Sequence, residues 1–195
     1  FTGAIIAIQM AYNIDSPLIP LKTIGFSTRQ MMIVEFSPTI ISLILAGKVG
    51  SSIASEIGTM RVTEQIDALK VMGINPANYL ILPKITASMI YNPVLIVFSI
   101  VLGIFGGWLA MLVTGLSSSV VFIEGVRSWY DPFTITYAMI KTLVFAFIIA
   151  SVSGYKGYNV KGGSVEVGRA STQAVVYSSI LIIVFDLILT QMLLT

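Results

Sequence analysis

The chain alternates long apolar blocks with short polar segments. The blocks run over 1–12, 31–50, 85–113, 133–153 and 170–194. A helix needs about 20 apolar residues to cross a bilayer, so the last four predict membrane spans. The first, Phe1 to Tyr12, is too short, and the expectation is a span whose beginning is truncated. Glu35 and Pro38 interrupt the second block, and the proline is expected to kink it. No charge occurs from Ile85 to Ile123, where Asn92-Pro93 and three glycines punctuate the third block. Lys141 is the one charge of the fourth, and Asp186 alone breaks the fifth. The segments 13–25, 117–132 and the glycine-rich 155–169 read as loops, the second carrying Trp129 and Tyr130 as interfacial aromatics. The expected fold is all-α: one polytopic membrane domain over 1–195 with five transmembrane helices.

The segment from Gly47 to Pro83 differs from its surroundings. Ala46, Gly50, Ala54 and Gly58 recur at every fourth position, with Gly47, Ser51 and Ser55 on the next stripe. On a helix they form one small face, which lets a neighbouring backbone approach closely where lipid supplies no hydrophobic drive. From Thr59 to Gly73 the pattern becomes amphipathic, with Val62, Ile66 and Leu69 on one face and Arg61, Glu64, Gln65 and Lys70 elsewhere. Gly73 and Asn75-Pro76 stop it. Such an element between two spans is either a docking element or an interfacial strut.

Composition narrows the chemistry. Of 195 residues 56% are hydrophobic and 10% charged, with neither Cys nor His, and the mean hydropathy is +0.94. Disulfides, thiol nucleophiles, imidazole bases and the commonest zinc ligands are absent together. No catalytic residue, metal site or cofactor is expected. Gly47-Lys48 lacks the glycine and hydroxyl residue of a P-loop, so ATP binding by that route is excluded. Lys and Arg number seven on the side of Gly47 to Pro83 and of the 155–169 loop, against four on the other. That bias places the amphipathic element in the cytoplasm.

Glu35 and Asp186 are carboxylates within expected spans, where ionisable groups are costly and mark functional sites by default. They serve ion coupling, or they are paired structurally; both readings stand. A carrier of an amphipathic ligand would need an apolar cavity with polar groups at its mouth. The segment from Leu18 to Pro38 suits such a lining, with Leu18, Leu21, Ile33, Val34, Phe36 and Ile40 as apolar wall and Glu35 near the mouth. Ile148 and Ile182 are expected on outer spans, facing bulk lipid.

The run EIGTMRVTEQIDALKVMGINPANYLILPK (56–84) follows LAGKVGSSIAS and precedes GIFGGWLA; VKGGSVEVGRAST (160–172) and AVVYSSILIIVFDLILT come later. These motifs strongly resemble the MlaE/YrbE family of ABC-transporter permeases, over nearly the whole chain. The resemblance implies five membrane helices, preceded by an interfacial helix that is missing here. It implies a homodimer in the bacterial inner membrane, paired with cytoplasmic ATPase subunits and a lipid-binding MCE-domain protein. The implied function is movement of phospholipid between the inner and outer membranes, maintaining outer-membrane lipid asymmetry. The equivalent of Glu56 to Gly73 would contain the coupling helix that seats in the ATPase, with Glu56, Arg61, Glu64, Gln65, Asp67 and Lys70 as contact residues. Two other readings remain: a membrane scaffold without transport, and an ion-coupled secondary transporter, although no matched pair of inverted halves with broken helices is visible.

Overall fold

A computed structural model of the chain describes residues 1–14 and 20–194. These form helices α1 (Thr2–Asn13), α2 (Lys22–Val62), α3 (Gln65–Val71), α4 (Ala77–Thr114), α5 (Ser119–Arg127), α6 (Pro132–Tyr158) and α7 (Ser164–Leu194), and no strand occurs among the described residues. Four of them, α2, α4, α6 and α7, are long and apolar enough to cross a membrane. The 12 residues of α1 extend about 18 Å at 1.5 Å per residue, short of a hydrocarbon core of about 30 Å. Four candidate spans thus stand among the described residues where five were expected.

Several expected boundaries move. Helix α2 starts at Lys22, inside the expected 13–25 loop, and continues for 41 residues. It passes Pro38 without ending because a π-helical turn, Met32–Phe36, comes just before. The Ser37 N–H bonds the Met32 carbonyl five residues back, and this wider turn accommodates a residue that has no N–H to donate. Pro93 likewise lies within α4, as spans tolerate when neighbours satisfy the freed carbonyl. The 117–132 segment is not all loop, since it contains α5. The 155–169 segment is mostly helix, with α6 running to Tyr158 and α7 starting at Ser164.

The chain divides into two units, one comprising Phe1–Ile40 and Leu95–Ile140 and the other Ile41–Val94 and Lys141–Thr195. In the first, α1 lies on α4 so closely that a Cβ on Gly3 would overlap the Gly103 carbonyl. Helices α2 and α5 meet similarly: a Cβ on Gly25 would strike the Phe122 carbonyl, and one on Gly125 the Lys22 carbonyl. Ala7, Ile24, Met111 and Phe122, one from each of α1, α2, α4 and α5, make the core. Arg29 donates to the carbonyls of Val126, Ser128 and Trp129 at 2.7, 2.9 and 3.1 Å. It thereby satisfies acceptors that the end of α5 leaves open.

In the second unit the small-residue face of α2 is covered as its spacing predicts. Ala46 and Ala54 are fully buried. A Cβ on Gly50 would meet Ser153 Oγ at 2.9 Å, one on Gly58 the valines 160 and 167 at 3.2 Å, and one on Gly157 the Ala54 carbonyl at 2.6 Å. Ser171 of α7 donates to the Ser51 carbonyl at 3.1 Å. This contact sets a substitution test. Gly157→Ala should destabilise the detergent-solubilised protein by about 1–3 kcal/mol, the usual cost of overpacking. Gly168→Ala, whose Cβ would meet nothing within 4 Å, should be neutral or stabilising by up to about 1 kcal/mol. Thermal unfolding monitored by circular dichroism compares them, and equal effects would contradict the packing described.

Candidate functional site

The amphipathic stretch is not one helix. Helix α2 ends at Val62, Thr63 turns, and Glu64 takes a left-handed conformation (φ 61°) before α3 begins at Gln65. The result is a helical hairpin anchored by the fully buried Ile66, which packs with Ile53, Ile57 and Ala150. Gly73 (φ +77°) terminates α3, where the N–H of Ile74 reaches the Leu69 carbonyl, a Schellman-type end that requires the left-handed residue. Leu69 and Val62 are half-buried.

One carboxylate oxygen closes the hairpin. Asp67 Oδ1 accepts from Arg61 Nη1 at 2.7 Å and from Lys70 Nζ at 3.0 Å. These hydrogen bonds, Lys70's first and Arg61's second, hold the Asp67 carboxyl below its ordinary value. By linkage, the clamp contributes above the unfolded carboxylate pKa and is lost as pH falls through the lowered folded one. Arg61, Asp67 and Lys70 are therefore engaged with one another. Glu64 and Gln65 are exposed. Glu56 makes an ion pair with Lys84 at 2.6 Å, which ties α2 to the start of α4 away from the tip. Residues that the charge pattern missed are exposed at the end of α3: Val71 is 89% exposed and Met72 64%. Their only sequence signal was an apolar pair directly before Gly73.

Lys141 of α6 and Asp186 of α7 form an ion pair at 2.6 Å, with Lys141 fully buried. Of the two readings left open for Asp186, pairing is what the structure contains. Lys141 consequently carries no weight in a count of loop charges. Among the expected lining residues, Leu21 and Phe36 are exposed, while Val34, Glu35 and Ile40 are half-buried. Ile33 is 6% exposed and faces inward, so it forms no open wall in the single chain. Leu18 lies outside the described residues. Ile148 and Ile182, expected to face lipid, are also buried, because α6 and α7 turn their small and aliphatic stripes inward.

Residues 1–192 match the family model described as Permease MlaE. The chain is 37% identical over 192 residues to a probable ABC transporter permease protein of Rickettsia prowazekii, covering 98% of this chain and 74% of that protein. A probable ABC transporter permease protein of Synechocystis is 32% identical over 195 residues, covering 97% and 72%. The chloroplastic protein TRIGALACTOSYLDIACYLGLYCEROL 1 of Arabidopsis thaliana is 38% identical over 158 residues, covering 80% and 45%.

The buried pair makes a prediction of its own. Asp186→Ala removes the carboxylate that faces a buried ammonium and should cost about 3–5 kcal/mol, whereas Lys141→Met with Asp186→Leu should recover most of the loss. Unfolding midpoints of the single and double variants decide this, and additive losses would refute the pairing.

Proposed function

The chain belongs to the MlaE permease family, a family of ABC transporter permeases, and on that premise we propose that it moves phospholipid between the inner and outer bacterial membranes and so maintains outer-membrane asymmetry. It is a multi-pass subunit of the inner membrane, working as a homodimer with a cytoplasmic ATPase and an MCE-domain lipid-binding protein. ATP hydrolysis resides in the ATPase. The lipid assignment draws support from the chloroplast relative, which has a glycolipid in its name.

The observation that carries the ATPase contact is the hairpin. It exposes Glu64 and Gln65 at the start of α3 and Val71 and Met72 at its end, polar and apolar groups of the kinds that interfaces combine. The Asp67 clamp and the buried Ile66 hold the hairpin rigid, so motion of a bound ATPase is passed into α2 instead of being absorbed by a loose loop. Arg61, Asp67 and Lys70 act as positioning groups in this reading, and Glu56 stabilises the base through Lys84. Phospholipid would enter where Leu21, Val34, Phe36 and Ile40 are accessible, with Glu35 at the mouth and Ile33 behind. Two copies of the chain would enclose it.

Two measurements test this. Met72→Asp with Glu64→Lys should leave the membrane domain folded, as exposed substitutions usually do, and weaken co-purification of the ATPase about tenfold or more, as expected when an interface anchor is replaced by a charge. Undiminished association would place the ATPase elsewhere. Photo-crosslinkers at Leu21 and Phe36 should capture phospholipid in an ATPase-dependent manner, unlike ones at the exposed Phe147 and Ile183. Equal, ATPase-independent capture at all four would remove the lipid route from this segment.

A further inference from the structure

Helix α5 and the end of α4 enclose a feature that the transport reading leaves unused. Between them runs an apolar groove of about 400 Å³. Helix α4 contributes Val101, Phe105 and Trp108; α5 contributes Ile123 and, as floor, Phe122. The groove persists because α5 is fixed from its other side, where Gly25 and Gly125 bring it against α2. Trp108 Nε1 donates to Ser119 Oγ at 2.7 Å, so the indole's one polar atom is satisfied and its ring serves as wall. Val101 and Phe105 remain 60% and 53% exposed.

Arg127 joins this lining. It is the last residue of α5, it is exposed, and its side chain makes no hydrogen bond or ion pair with any described residue. The residues that follow it are of the kind expected at a membrane interface. The next candidate span begins at Pro132, and between them Trp129 and Tyr130 are 69% and 54% exposed, as aromatic residues at the level of lipid headgroups are. A cation at headgroup height beside an apolar groove complements one ligand class on both counts. We infer that this groove binds an anionic phospholipid, with an acyl chain along Val101, Phe105 and Trp108 and the phosphate on Arg127. The site requires no transport, because a permease for any cargo lies in phospholipid.

The chain has two tryptophans, and Trp108 is a built-in reporter. In a Trp129→Phe background, the protein is reconstituted with phosphatidylglycerol or phosphatidylcholine brominated on the acyl chain. Quenching of Trp108 should saturate at low mole fraction, with phosphatidylglycerol favoured about fivefold, the effect of one basic residue at a lipid surface. Arg127→Glu should abolish that preference while leaving phosphatidylcholine quenching unchanged, and Arg127→Lys should retain it. Trp108→Phe in the parent protein should remove the saturable component without dependence on the Trp129 substitution. Equal quenching by both lipids, an undiminished preference in Arg127→Glu, or quenching that rises linearly as in bulk lipid would overturn the assignment. So would its disappearance in the assembled transporter, which would give the groove to a partner's helix.

Discussion

Helices in lipid gain nothing from hiding apolar side chains, so what holds these together is close backbone contact at residues with little or no side chain. Gly3 against Gly103, Gly25 against Gly125 and Ala54 against Gly157 are such places. At Gly3, Gly25, Gly125 and Gly157 there is space for a hydrogen and none for a methyl group. Within each unit these contacts fix the register of one helix on the next, and the polar features inherit their positions from that register. Lys141 finds Asp186 only because α6 and α7 are fixed in depth and rotation. Arg29 reaches three carbonyls in the last turn of α5 and just past it only because Gly25 brings α2 near.

The same contacts support the coupling role proposed for the hairpin. Helix α2 reaches the hairpin through Ala54 and Gly58, both buried against neighbouring helices, and Ile66 extends the packing across the turn. Above the Asp67 carboxylate's lowered pKa the clamp to Arg61 and Lys70 is charged and intact, so the tip is pre-shaped before any partner arrives. Pre-organisation of this kind reduces the ordering cost of association.

Much of this was legible in the sequence, and the failures share a cause. Long apolar blocks gave the four long helices, and the fourfold spacing from Ala46 to Gly58 gave the packed face of α2. Asp186 stood out as a charge in an apolar run, but its partner did not, since pairing depends on a helix register that spacing along one chain does not contain. The break at Glu64 was invisible because amphipathic periodicity continues across it and a left-handed glutamate has no sequence signal. The glycines of 155–169 suggested a loop where Gly157 serves close packing within α6. Val71 and Met72 were overlooked because charge drew attention to the neighbouring positions.

Reconstitution tests most directly the proposal that this ABC permease carries phospholipid. The chain is co-purified with its ATPase, placed in vesicles containing labelled phospholipid, and given ATP together with lipid-binding acceptor protein or acceptor membranes. The account predicts ATP-dependent transfer of phospholipid that stops when the ATPase is omitted or its hydrolysis is blocked. Robust ATP hydrolysis by the assembled complex with phospholipid left in place, while another solute crosses, would contradict it.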